Sequence, residues 1–157
     1  MDDRLFRDAM GKFATGVTVL LTENEGEIHG MTANGFMSVS LNPKLVVISI
    51  GHKAKFLEKV AKSGQYTVNI LAEDQEYYSR HFAGRPDGEV QFSQLANLPV
   101  LNDVVAQVAC EVVGKHVEGD HTLFIGKVID LNITDKSPLL FYSGKYRKLE
   151  DLSPVEA

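Results

Sequence analysis

At 157 residues the chain has room for one domain, in which folding buries roughly two thirds of the unfolded surface. Its 44% hydrophobic and 24% charged residues are those of an ordinary globular protein, and a net charge of -5 excludes the basic domain of a nucleic-acid binder. No apolar run approaches the roughly 18 residues of a membrane span, and Met1-Asp2-Asp3-Arg4 lacks the apolar core of a signal peptide. The single cysteine, Cys110, rules out an intramolecular disulfide and fits a reducing compartment, so a cytoplasmic protein is expected.

Asp2 or Asp3 can cap a first helix whose Leu5, Phe6, Ala9, Met10 and Phe13 share one face, with Gly16 as its stop. Val17 to Thr22 reads as a strand, and Asn24-Glu25-Gly26 as a hairpin turn into a second strand near Ile28. From Phe36 to Leu41 the pattern has period two, placing Met37, Val39 and Leu41 on one side and Ser38 and Ser40 on the other. Asn42-Pro43 makes a turn before a buried strand, Leu45 to Ile50. A short helix from Ala54 to Lys62 buries Phe56, Leu57 and Val60 and ends at Gly64.

Tyr66 to Leu71 is again strand-like and Glu73 to Phe82 helical, followed by a polar loop from Ala83 to Val90. Val104 to Val113 and Thr122 to Ile133 are two long strands joined by Gly114 to His121, and Leu139 to Tyr142 is a short last strand. Cys110 lies in one of the long strands as a small buried hydrophobe. No linker or repeat divides the chain, which predicts a single domain over 1–157. Six or seven strands, few helices and no βαβ rhythm point to a mostly β fold, an antiparallel barrel with peripheral helices.

Several common sites are absent. No two of the 13 glycines are spaced by two, so the dinucleotide fingerprint Gly-x-Gly-x-x-Gly cannot occur. There is no P-loop, no Gly-x-Ser-x-Gly elbow and no His-Glu-x-x-His zinc site. His116, Asp120 and His121 lack further nearby ligands, so no metal is expected.

Three segments carry chemistry. Gly30 to Ser40 sets small residues and hydroxyls between apolar strands: either a tight turn before a half-exposed strand, or a site where backbone N–H groups approach a flat polar heterocycle. Ser49-Ile50-Gly51-His52-Lys53-Ala54-Lys55 is either a solvated charge cluster at a helix start or an anion site of free N–H groups and lysines. Gly119-Asp120-His121-Thr122 brings a histidine into a strand, in a structural or a catalytic role.

Taken together and in this order, the segments resemble the short-chain flavin reductase family, the reductase components of two-component flavin-dependent monooxygenases. The resemblance runs from about Phe6 to Leu149. It rests on Phe13-Ala14-Thr15-Gly16-Val17-Thr18-Val19, Met31-Thr32-Ala33-Asn34 through Ser38-Val39-Ser40-Leu41, Gly119-Asp120-His121-Thr122, and Pro138 to Tyr142 with Tyr146-Arg147.

The resemblance implies an FMN-binding split barrel, a Greek-key antiparallel fold, and a homodimer with flavin at or near the subunit interface. It implies hydride transfer from NADH or NADPH to FMN or FAD, with reduced flavin supplied to a separate monooxygenase. Carried over position by position, Thr32, Ala33 and Asn34 line the flavin, and Ser38, Val39 and Ser40 lie against its ring and ribityl chain. Ser49, Ile50 and Gly51 follow its tail to a phosphate met by Lys53 and Lys55, while Phe82 and Gly84 border the pocket. His121 faces the flavin and nicotinamide, with Tyr142 and Arg147 near that mouth.

Two positions depart from the family pattern: Gly35 stands where serine is common, and His52-Lys53-Ala54-Lys55 replaces a Ser/Thr-bearing phosphate loop. Lysine binds phosphate as a point charge with little geometric selectivity. The alternatives are a flavin carrier without reductase activity on the same barrel, or an oxidase of a pyridoxine phosphate. The latter needs several basic residues at a substrate-phosphate site, and one such cluster is seen.

Overall fold

Asp2 caps the first helix, α1 (Asp3–Met10), accepting a 2.9 Å hydrogen bond from the Arg4 amide. In the computed structural model, which describes residues 1–150 and Val155, this helix ends at Gly11 rather than at the expected Gly16. The expected single unit spans 1–157, and its last residues other than Val155 lie outside those described. The apolar face of α1 is present but uncovered: Leu5, Phe6 and Met10 are all exposed, as is Phe13 beyond the helix end.

Twelve strands are found among the described residues, all paired antiparallel. They are β1 (Thr15–Gly16), β2 (Thr18–Asn24), β3 (Glu27–Ala33), β4 (Phe36–Ser40), β5 (Leu45–Gly51), β6 (Gln65–Ile70), β7 (Phe92–Leu95), β8 (Leu98–Leu101), β9 (Ala106–Glu118), β10 (His121–Ile133), β11 (Leu140–Tyr142) and β12 (Lys145–Arg147). Seven of them form one sheet in the order β3-β2-β6-β9-β10-β5-β4, whose two edges are joined in sequence by only Asn34 and Gly35. The architecture is mostly β, as expected, and β3 and β4 are not paired with each other.

The expectation of six or seven strands missed the short β1, the separate hairpin of β7 and β8, and β12. The segment from Gly114 to His121, expected as a connection, is mostly strand. β9 continues to Glu118, and only Gly119 and Asp120 form the turn into β10. The hairpin between β2 and β3 turns at Glu25 and Gly26, with φ of 52° and 81°, the doubly positive geometry that matches strand twist. The peptide bond Asn42-Pro43 is cis.

β2 is buried on both faces because it has core on both sides. Leu20 joins Ile48, Ile50, Phe56, Val60, Tyr66, Val68 and Phe124, while Val19 and Leu21 join Leu71, Leu101, Val104 and Leu139. α2 (Phe56–Ser63) covers the first cluster with Phe56 and Val60, and Gly64 ends it in the left-handed region at φ 70°. Burying side chains of this size stabilises by roughly 1.5–3 kcal/mol each before the entropy of ordering them is counted. Cys110 lies in this cluster with no exposure, and burial pushes its thiol up to about 12. α3 (Glu76–His81) is shorter than the Glu73 to Phe82 helix expected, and packs against β2. No helix among the described residues is long and apolar enough to cross a membrane.

Candidate functional site

The alternation of β5 decides which of its residues can reach a ligand. Val46, Ile48 and Ile50 are buried, whereas Leu45, Val47, Ser49 and Gly51 are half-buried on the other face. Ile50 therefore belongs to the core by its side chain, and only its backbone is available to a site. Across the ladder His121 pairs with Gly51 and Leu123 with Ser49, so these four share the outward face. The His121 ring lies over Gly51, its Nε2 being 3.6 Å from where a Cβ on that glycine would stand.

This face continues into the corner between β3 and β4. The Ser49 amide donates to the Gly35 carbonyl at 2.9 Å, and a Cβ on Gly35 would stand 3.2 Å from the Ser49 carbonyl oxygen. Gly35, Ser49, Leu123, Gly51 and His121 thus form one run on this face, ended by an imidazole, with Asn34 next to it in the chain. Among the described residues neither the Asn34 nor the Gly35 amide meets an acceptor, leaving two N–H donors at the corner.

Thr32 and Ala33 hold this corner rather than point freely from it. Thr32 donates through Oγ1 to the Ser79 carbonyl at 2.5 Å and through its amide to the Phe82 carbonyl at 3.2 Å. The Ala33 carbonyl accepts from Thr18 Oγ1 at 2.7 Å. A cavity of about 190 Å³ opens beside them, lined by Val17, Thr32, Ala33, Asn34, Ser79, Phe141 and Tyr146. Phe82 borders this region from beneath: its ring fills the space that a side chain on Gly30 would occupy. Gly84 follows at φ 88°, a left-handed conformation that favours glycine.

Ser38, Val39 and Ser40 run along the far end of β4. Ser38 pairs with Val46 and Ser40 with Leu45, and the irregularity between them leaves Val39 unpaired, which breaks the strict alternation expected as far as Leu41. Met37, Val39 and Leu41 are all exposed. At the other end of β5, the Ala54 amide donates to the Gly51 carbonyl, closing a turn that presents Lys53 and Lys55 to solvent. Lys55 occupies the N-cap position of α2 without capping it by a side-chain hydrogen bond. Neither lysine is in a salt bridge among the described residues.

Tyr142 and Arg147 lie on the face of the β11–β12 hairpin away from the cavity. In the hairpin of β11 and β12, Phe141 pairs with Tyr146 and faces the cavity, which turns Leu140, Tyr142, Lys145 and Arg147 to the opposite face. Tyr142 lies under the Lys12 ammonium, 5.7 Å from the ring centre, and Arg147 lines a separate groove with Glu73, Glu76 and Glu150. Within the chain nothing among the described residues links either one to His121.

Sequence reasoning did not single out Ser79, Phe141 and Tyr146 as site residues. Ser79 Oγ and the Tyr146 hydroxyl are 2.6 Å apart, and the Arg80 guanidinium stands 5.9 Å over the Tyr146 ring. The available signal was a serine inside an otherwise large-residue helix turn, Tyr77-Tyr78-Ser79-Arg80, which is buried in the structure.

At the turn between β9 and β10, Asp120 Oδ1 lies 2.8 Å from His121 Nδ1. The hydrogen bond and charge of His121 hold the Asp120 carboxyl below its ordinary range. No group of three or more metal-ligating side chains is found among the described residues.

The residues fit a flavin. Two amide donors could meet a polar ring edge, glycines permit close approach, and two lysines outside any salt bridge among the described residues follow the Gly51 end of β5, the end that carries the Gly35–Ser49 corner. Comparison with known proteins agrees with that geometry. The model of the flavin reductase like domain matches residues 10–150. An NADH-dependent flavin reductase of Rhodococcus sp is 47% identical over 96% of this chain and 88% of its own. The structure of flavin reductase PheA2 superposes with a TM-score of 0.94 at 61% identity, covering 96% of this chain and 100% of that one. The styrene monooxygenase flavin reductase of Pseudomonas putida S12 gives a TM-score of 0.87 at 35% identity, over 97% and 99%. The chain belongs to the flavin reductase family and has its split-barrel fold.

Proposed function

We infer that this chain is an NADH-dependent flavin reductase that moves a hydride from NADH to FMN or FAD and supplies the reduced flavin to a separate monooxygenase. The observation that carries the reading is the shared face of Gly35, Ser49, Gly51 and His121, found in a chain 47% identical to an NADH-dependent flavin reductase. The monooxygenase partner is supported by the styrene monooxygenase reductase among its structural relatives.

The nicotinamide supplies the hydride and the flavin accepts it; the protein contributes position and charge. The Asn34 and Gly35 amides would face the polar edge of a bound flavin, where reduction develops negative charge, and fixed donors aimed at developing charge lower the barrier. Thr32, tied to Ser79 and Phe82, keeps that corner rigid. Ser49 and Gly51 offer a surface low enough for two flat rings to lie stacked, which hydride transfer requires at roughly 3–3.5 Å. Lys53 and Lys55 attract the phosphate end. His121 orients the nicotinamide and takes no proton.

The active unit is a homodimer working in the cytoplasm. Support for the homodimer comes from the uncovered apolar residues of α1 (Leu5, Phe6, Met10), of the segment after it (Phe13) and of β4 (Met37, Val39), which a monomer leaves in water.

Anaerobic stopped-flow mixing of the protein and FMN or FAD with NADH or NADPH tests the reading. Flavin bleaching coupled to nicotinamide oxidation is expected, faster with NADH. Flavin that binds yet stays oxidised moves the protein to the carrier class. The variant His121→Ala should raise the nicotinamide KM or slow hydride transfer while flavin still binds; unchanged kinetics remove His121 from the mechanism.

A further inference from the structure

His121 is held by its neighbour, and that contact decides what its outer nitrogen can do. An ionised carboxylate only accepts hydrogen bonds, so the 2.8 Å approach of Asp120 Oδ1 to His121 Nδ1 places the proton on Nδ1. In the neutral ring Nε2 is then bare, an acceptor, and it is the Nε2 edge that lies over Gly51 on the open face.

The carboxylate is placed by the backbone. Gly119, at φ 62°, and Asp120 form a two-residue turn closed by the pairing of Glu118 with His121. The Asp120 carbonyl accepts from the His52 amide at 2.9 Å, which ties the turn to the end of β5. His52 Nε2 is itself engaged with Thr122 Oγ1 at 3.1 Å. Asp120 is 95% exposed, has no other side-chain partner among the described residues, and is unused by the fold.

We propose that Asp120 is a positioning residue that locks His121 as the Nδ1–H tautomer, so that Nε2 accepts a hydrogen bond from the amide NH₂ of the nicotinamide carboxamide. The lock fixes which end of the carboxamide faces the histidine, and with it which way the nicotinamide ring lies. A dinucleotide carrying a methyl ketone in place of the amide loses that donor and should be discriminated against. This rests on the reductase reading, but the tautomer does not.

The experiment has two arms. Ring ¹⁵N spectra of histidine-labelled protein should show His121 protonated on Nδ1 in the parent and the alternative tautomer in Asp120→Ala. Kinetics should show NADH preferred over its reduced 3-acetylpyridine analogue by roughly fivefold in kcat/KM, the worth of one hydrogen bond. That preference should vanish in Asp120→Ala and His121→Ala and survive in part in Asp120→Asn, whose amide oxygen still accepts from Nδ1–H. Unaltered melting and flavin affinity in Asp120→Asn separate positioning from folding.

A parent ring protonated on Nε2, or a tautomer indifferent to Asp120→Ala, overturns the lock. Equal discrimination in parent and variants overturns the carboxamide contact even if the lock stands. No NADH oxidation by the parent overturns the reductase reading and the carboxamide contact together, while the spectra still judge the lock.

Discussion

Replacing Gly30 with alanine should disturb both stability and flavin binding, because the methyl group would enter space that Phe82 already fills. The added Cβ would stand 2.5 and 2.6 Å from Phe82 Cδ1 and Cε1, and 2.9 Å from Leu21 Cδ2. Reaching ordinary contact at 3.4 Å from 2.5 Å requires the ring to retreat by about 0.9 Å. Leu21 is fully buried and has nowhere to go. Overpacking of this kind costs about 1–3 kcal/mol. In a chain of this size each kcal/mol lowers Tm by about 2–4 °C, so a loss of about 2–12 °C is expected by calorimetry.

The same retreat pulls the Phe82 carbonyl from the Thr32 amide, a 3.2 Å bond with little length to spare, and flavin affinity should fall with it. Phe82→Leu in the Gly30→Ala background removes the opposed ring edge and should recover part of the Tm. An unchanged Tm and unchanged flavin affinity in Gly30→Ala refute the packing argument. A lowered Tm without recovery in the double variant shifts the strain from Phe82 to Leu21.

Lys53→Ala and Lys55→Ala should each weaken FMN binding without altering riboflavin binding, measured by flavin fluorescence quenching. The parent's FMN affinity should fall between about 0.05 and 0.5 M salt, because exposed charges are screened over roughly a Debye length; a salt-independent affinity removes the lysines from phosphate binding. Cys110 should resist alkylation at pH 8 in the native protein and react fully in denaturant, since burial holds the thiol at about 12 and leaves almost no thiolate. Modification of the native protein at the rate of a free thiol would show the β6–β9 core to open.

Fold class and most long elements were legible in the sequence because they carry clear periodicity. β5 is a nearly continuous apolar run with four β-branched residues, α2 has an apolar stripe closed by glycine, and the β2–β3 hairpin has Gly26 at a position needing positive φ. The β7–β8 hairpin was not legible. Its turn uses Ala96 and Asn97 at φ 51° and 64°, without glycine to announce it, and Pro99 in β8 reads as a strand breaker. Gly114 misled in the opposite direction. It lies inside β9 opposite Ile125, where a Cβ would come within 3.1 Å of the Ile125 side chain, so it marks close approach and not a strand end. The facing of Tyr142 and Arg147 within the chain was not legible for a similar reason. Register between β11 and β12 is set by the Ser143-Gly144 turn, and one step along a strand exchanges the face that Phe141 and Tyr146 occupy for theirs.

Gly35 shows why a departure from the family pattern is a structural choice at the site rather than a lost contact. A serine there would carry its Cβ 3.2 Å from the Ser49 carbonyl oxygen and 3.3 Å from the Ser49 Cβ, so the corner between β4 and β5 would have to open by a few tenths of an ångström. With glycine, the Asn34–Gly35 backbone lies directly against Ser49, and the donors it offers are main-chain amides fixed by the sheet instead of a hydroxyl free to rotate. In the proposed site, selectivity for the ring would come from backbone placement, held by Thr32 through Ser79 and Phe82. Attraction for the phosphate end would come from Lys53 and Lys55, which act over distance and demand little geometry. A site divided in this way, rigid at the ring and permissive at the tail, suits a protein that must hold one end of the flavin accurately while releasing the whole molecule after reduction.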